Sequence, residues 1–117
     1  MALIQKPIKL QQMDKFKDLF KEQIKKDYSQ NGEQAIILKE LDGTIGTFLS
    51  LGENNGECLS NVRALALLGW SGVCVEPSKT PFEQLDLLYK NNDNVTCFNF
   101  AIGTSNGVAD FYDSGLI

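Results

Sequence analysis

Residues 47–56 read TFLSLGENNG and residues 69–77 read GWSGVCVEP. Each holds a short, mostly apolar run that stops abruptly, at Gly52 in the first and at Glu76 in the second. Runs of four or five apolar residues bounded by turn formers suit buried strands, so Thr47 to Leu51 and Gly72 to Val75 are predicted as the first two strands of a sheet. Between them, residues from about Glu57 to Leu68 place Leu59, Val62, Leu65, Ala66 and Leu68 at helical spacing, and Gly69 suits the C-terminal cap. Thr80-Pro-Phe-Glu83 then opens a second helix. Thr80 is its expected cap, Pro81 its first helical residue, and Glu83 completes a capping box. Leu85, Leu87 and Leu88 give its apolar side, Asn91-Asn92 ends it, and Val95 to Phe100 is the third strand. Gly103 to Gly107 reads as a turn, with Val108 to Tyr112 as a further strand. Strand, helix, strand, helix, strand at this spacing predicts two right-handed crossovers, hence an α/β fold: a partial Rossmann-like, parallel sheet in the order 3-2-1.

Upstream of this core the period changes. Leu10, Met13, Phe16, Leu19, Phe20 and Ile24 recur at steps of three and four, which predicts an amphipathic helix over about residues 9–27. Asn31-Gly32 breaks it, Gln34 to Leu41 reads as a second short helix, and Asp42-Gly43 marks a turn. The chain therefore divides into an amphipathic helical segment, 1–28, and an α/β part, 29–117.

With 117 residues, 43% hydrophobic and 22% charged, the chain has the composition of one soluble globular domain. Its charge is unevenly placed. Up to Lys26 seven lysines face three acids, whereas from Asp27 onward four basic residues face twelve acidic ones. That acidic remainder argues against nucleic acid as a partner, since phosphate binding needs a basic surface. The basic end is read as a solvated helix face, with docking to a membrane surface or a partner as the alternative. Cys58, Cys74 and Cys97 form no C-x-x-C pair and histidine is absent, so neither a metal site nor a disulfide framework is expected. The start has no apolar signal region, and no run approaches the roughly 18 apolar residues of a membrane span, so a cytoplasmic protein with no membrane span is expected.

Ligands of open parallel sheets bind beyond the carboxyl ends of the strands. Two features fall there. Leu51-Gly-Glu-Asn-Asn-Gly56 joins the first strand to its helix; glycine allows a sharp turn, and a helix N-terminus behind it offers unpaired N–H groups. Glu76 ends the second strand, where a carboxylate can accept hydrogen bonds from both hydroxyls of a ribose. Together they predict a nucleoside-cofactor site. No Gly-Lys-Ser/Thr follows the glycines, which excludes a phosphate P-loop, and Asn54 stands where the second glycine of a dinucleotide fingerprint would fall. A cofactor with a ribose and no pyrophosphate fits better, and S-adenosylmethionine (SAM) is the common one.

The stretches SQNGEQAIILKEL (29–41), TFLSLGENNGECLSNVRALALLGWSGVCVEPSKTPFEQL (47–85) and NVTCFNFAIGTSNGVADFY (94–112) together resemble the FkbM-like SAM-dependent methyltransferases, with GWSGVCVEP the most specific part. The resemblance implies methyl transfer from SAM to a hydroxyl oxygen of a sugar or other natural product, so a small-molecule or glycan acceptor is the implied partner. Carried over by position, Leu51, Gly52, Glu53 and Gly56 would surround the methionine part of SAM, Glu76 would hold the ribose, and Phe100 and Ala101 would lie near the adenine. No catalytic base is apparent.

Two departures from that family qualify the resemblance. Ser50 stands where the family usually has an acid that orients the methionine end; Glu53 or Glu57 could compensate. The resemblance also implies a seven-stranded sheet, ordered 3-2-1-4-5-7-6, of which this chain holds the front half, to Ile117. The expectation is thus a cofactor-binding half, incomplete as an enzyme, with an open edge at the first strand that invites self-association or a partner chain. A non-catalytic remnant serving as a binding module and a nucleotide-dependent oxidoreductase are the alternatives.

Overall fold

A computed structural model describes residues 2–4, 24, 26–110 and 112. Its α/β architecture is a four-stranded mixed sheet with three helices. In chain order these are β1 (Ala2–Ile4), α1 (Glu33–Glu40), β2 (Thr47–Leu51), α2 (Arg63–Leu67), β3 (Ser71–Val75), α3 (Lys79–Leu88) and β4 (Val95–Phe98). The sheet order is β1-β2-β3-β4. β2, β3 and β4 run parallel, while β1 pairs antiparallel with β2, Ala2 opposite Ser50 and Ile4 opposite Phe48.

This corrects the sheet expected from sequence. A wholly parallel, three-stranded 3-2-1 arrangement would leave β2 as an edge, but β1 covers that side and β2 lies inside the sheet. Three residues of β1 give too short a pattern to recognise, and they fall within the segment expected to be helical. Most of the predicted helix over 9–27 lies outside the described residues; residues 24, 26 and 27 are not helical. Nor is there a strand among residues 108–110 and 112.

The register puts Phe48, Gly72 and Val95 on one rung of a sheet face, and Ser50, Cys74 and Cys97 on the next. This face meets the core of Phe48, Val62, Leu65, Ala66, Trp70, Leu85, Tyr89 and Val95, with Ile4, Ile37, Leu38 and Leu88 packed around it. Two right-handed crossovers stepping the same way across a sheet place their helices on the same side, which is why α2 and α3 share this core. The opposite face is less covered: Leu49 and Val73 are half-buried, and Leu3 and Phe98 are exposed.

Local chemistry sets the helix ends. α1 matches the expected second helix to within a residue. Gln34 anchors it: its Oε1 accepts the Tyr28 N–H (2.9 Å) and its Nε2 donates to the Lys26 carbonyl (2.9 Å). α2 closes at Gly69 as expected, through a 6→1 bond from Trp70 N–H to the Leu65 carbonyl (3.0 Å) and a 5→2 bond from Gly69 N–H to the Ala66 carbonyl (3.1 Å). Its start is corrected from about Glu57 to Arg63. The Asn55 Oδ1 captures the N–H groups of Glu57 and Cys58 (3.0 and 2.8 Å), and Leu59 takes φ 59, which no helix accommodates. Leu59, expected inside, is 60% exposed. α3 begins at Lys79 after Ser78, two residues before the cap expected at Thr80, so Pro81 sits in the first turn and is buried. Leu85 is buried and Leu88 half-buried, whereas Leu87, also expected inside, is exposed.

Gly72 is required by packing. The Phe48 ring lies over it across the β2–β3 pair, and any Cβ there would run into the ring. Gly72→Ala therefore overpacks a buried aromatic, costing about 1–3 kcal/mol and outweighing the roughly 0.5–1 kcal/mol usually gained by replacing a strand glycine. Urea unfolding reads this as a lowered midpoint at unchanged slope; a raised midpoint would contradict the packing.

Candidate functional site

The loop after β2 folds over the carboxyl end of β3. At Gly52, with φ 78, the chain turns so that the N–H groups of Gly52 and Glu53 both donate to the Val75 carbonyl (2.8 and 3.1 Å). The Asn54 N–H donates to Glu76 Oε1 (2.8 Å), and the Gly56 N–H to the Glu53 carbonyl (3.1 Å). With Glu57 and Cys58 bonded to Asn55, the amides of Gly52, Glu53, Asn54, Gly56, Glu57 and Cys58 all have protein acceptors. The helix N-terminus expected directly behind the glycines lies elsewhere: α2 begins seven residues after Gly56, and the Glu57 and Cys58 amides bind the Asn55 side chain. α2, with five residues, is also too short to supply a substantial dipole.

The residues singled out from sequence separate into two groups. Glu53 and Gly56 turn into the interior. Gly56 is buried at φ 88, where an added Cβ would lie 2.7 Å from Leu88 and 2.8 Å from Leu85, so its glycine permits α3 to pack against the loop. Glu53 is 3% exposed. Its Oε1 accepts the Ser50 hydroxyl (2.8 Å) and its Oε2 the Ser60 hydroxyl (2.5 Å). Ser60 Oγ in turn accepts the N–H groups of Val62 and Arg63 (3.2 and 2.9 Å), capping α2. With both acceptor positions of Ser60 taken, its proton must go to Glu53. A proton on Glu53 therefore sits on Oε1, toward Ser50.

Glu76, Phe100 and Ala101 form the second group, at the carboxyl ends of β3 and β4, with exposed Gly52 beside them on the Val75 carbonyl and Leu51 half-buried at the end of β2. Glu76 is 7% exposed, and its two oxygens accept the N–H groups of Asn54 (2.8 Å) and Ser78 (2.7 Å). One backbone donor to each oxygen leaves carboxylate lone pairs for further hydroxyl donors. The Asn99 Nδ2 ties the Glu76 and Pro77 carbonyls together (2.9 and 3.1 Å). Beyond this clamp opens a cleft of about 500 Å³, with Pro77, Phe100, Ala101 and Ile102 on one part of its wall and the 103–110 segment on the rest. The Phe98 and Phe100 rings lie 5.5 Å apart between centroids, tilted by 41°.

Asn54 and Asn99 were not foreseen. Asn54 takes φ 60 and its Oδ1 is buried without a partner; the Asn-Asn-Gly turn signal was the available cue, since asparagine tolerates the left-handed region. Asn99 lies within the stretch predicted as strand, Val95 to Phe100, but β4 ends at Phe98. Among the described residues no cluster of His, Cys, Asp or Glu could hold a metal ion, and no helix is long and apolar enough to cross a membrane. No family model matches this chain, and no curated protein matches it in sequence.

Burial pushes the Glu53 carboxyl up from its ordinary 4.5 to about 7, against the opposing effect of the hydrogen bonds from Ser60 and Ser50. The folded state thus binds this proton more tightly than the unfolded chain. The resulting stabilisation is complete below pH 4.5 and is lost as pH rises to about 7. Glu53→Gln mimics the neutral form, with an acceptor for Ser60 and a donor for Ser50. The stability difference should move in the variant's favour between pH 4.5 and 8, by roughly 3 kcal/mol. A difference constant across that range in chemical unfolding would contradict the assignment.

Proposed function

We propose that this chain carries the cofactor-binding part of a SAM-dependent methyltransferase of the FkbM-like kind. The observation that carries the reading is Glu76, rigidly held at the carboxyl end of β3 by two backbone donors, next to a cleft bordered by Pro77, Phe100 and Ala101. In this reading ribose hydroxyls donate to the Glu76 oxygens, adenine lies against Phe100 and Ala101, and the methionine end runs toward the exposed Gly52 turn. SAM supplies the methyl group. The chain's own part is to fix the cofactor so that an acceptor hydroxyl of a sugar or other natural product can approach in line.

One further observation favours SAM over a dinucleotide. A pyrophosphate needs free backbone N–H donors, and the amides of Gly52, Glu53, Asn54, Gly56, Glu57 and Cys58 are engaged within the protein.

Calorimetric titration with S-adenosylhomocysteine tests the proposal, with NAD⁺ as comparison. Glu76→Ala should weaken S-adenosylhomocysteine binding about ten- to hundred-fold, the value of one or two charge-assisted bonds. It also strips acceptors from Asn54 and Ser78, so its folding is checked by circular dichroism. Ala101→Trp fills the cleft without touching Glu76 and should abolish binding while the fold persists. No binding of S-adenosylhomocysteine at millimolar concentration, or tighter binding of NAD⁺, would overturn the proposal.

A further inference from the structure

Cys74 and Cys97 are Cα partners on the neighbouring parallel strands β3 and β4, so both side chains lie on the same sheet face. Cys74 is fully buried in the core, and Cys97 packs against that core while staying half-exposed at the outer strand. Paired strands run roughly 4.7–4.9 Å apart, within the Cα separation of about 4.4–6.8 Å that a disulfide spans. The two thiols are directly linked: a hydrogen bond from Cys74 holds the Cys97 thiol below its usual range and pushes Cys74 above. The neighbouring acids Asp86 and Glu53 oppose ionisation of Cys97, leaving the Cys74 thiol as its activating partner. Cys58, the third thiol, is exposed on the loop before α2.

We propose that Cys74 and Cys97 are a reversible dithiol–disulfide pair, closed by peroxide-class oxidants and reopened by small thiols. Cys97 is the attacking group because it is the one a solute can reach. Its thiolate sulfur bonds to one oxygen of hydrogen peroxide, the O–O bond breaks, and the other oxygen leaves as hydroxide, protonated to water. The Cys74 sulfur then attacks the resulting sulfenic sulfur. The S–O bond breaks and the oxygen departs as a second water, carrying the Cys74 proton. Two thiols lose two electrons in total, and one peroxide becomes two waters.

Disulfide Cβ atoms sit closer, at about 3.8 Å, than directly opposed residues of parallel strands, so closure draws β3 and β4 together at this rung. A strained bridge of this kind is readily reduced, which suits a switch better than a permanent staple. The rung lies two residues before both Glu76 and Asn99, so closure pulls on the clamp between the two strand ends. The pair does not depend on which ligand that clamp serves.

The test uses the full chain carrying Cys58→Ser, which removes the exposed thiol and leaves the core untouched. After hydrogen peroxide treatment and trapping with N-ethylmaleimide under denaturing conditions, a non-reducing peptide map should show Cys74 joined to Cys97, with both maleimide adducts lost. Dithiothreitol should restore both adducts. Oxidation of Cys97 to sulfinic or sulfonic acid with Cys74 still free would overturn the proposal, as would two thiols that both remain fully labelled.

Discussion

The Glu53 carboxyl group is enclosed between Ser50 in β2 and Ser60 before α2, and it is the joint on which the surrounding geometry turns. Ser60 must give its proton to Glu53 because its lone pairs cap the helix, so the carboxyl group indirectly fixes where α2 can begin. The Ser60 N–H also donates to the Tyr28 carbonyl (2.8 Å), which brings the segment before α1 into the same arrangement. Removing the carboxyl would leave two buried hydroxyls without their partner, at a cost of about 1–3 kcal/mol for each unsatisfied group.

Glu76 is bound differently. Its partners are backbone amides, which cannot rotate away or accept a proton, whereas the Ser50 hydroxyl beside Glu53 can exchange donor and acceptor roles. The same residue type is thus used once as a buried, neutralisable joint and once as a fixed acceptor facing the strand ends. Only the second position combines rigid support with a neighbouring cleft, which is why the proposed chemistry rests on Glu76.

Much of the parallel core was legible in the residues. The apolar runs ending at Gly52 and Glu76 located β2 and β3, and Gly69 marked the end of α2, because each depends on local pattern and turn chemistry. What failed had no signal in the apolar pattern. The apolar spacing from Glu57 to Leu68 looks helical throughout, but Asn55 competes for two amides and Leu59 leaves the helical region, so only Arg63–Leu67 remain helical. β1 was invisible because three residues carry no period. Gly56, expected beside a cofactor, is also required by packing, since Leu85 and Leu88 of α3 take the space a side chain would fill. The grouping of Glu76, Phe100 and Ala101 followed from topology, since parallel strands end on the same side of their sheet.

The three-residue strand β1 has a consequence for assembly. It occupies the flank of β2 with antiparallel pairs at Ala2, Leu3 and Ile4, whereas β2 itself is five residues long. A longer parallel strand presented to that flank would compete for the same backbone groups and offer more of them. Residues 2–4 close the flank of β2 opposite Phe48, Leu49 and Ser50, so that this stretch is not an open sheet edge.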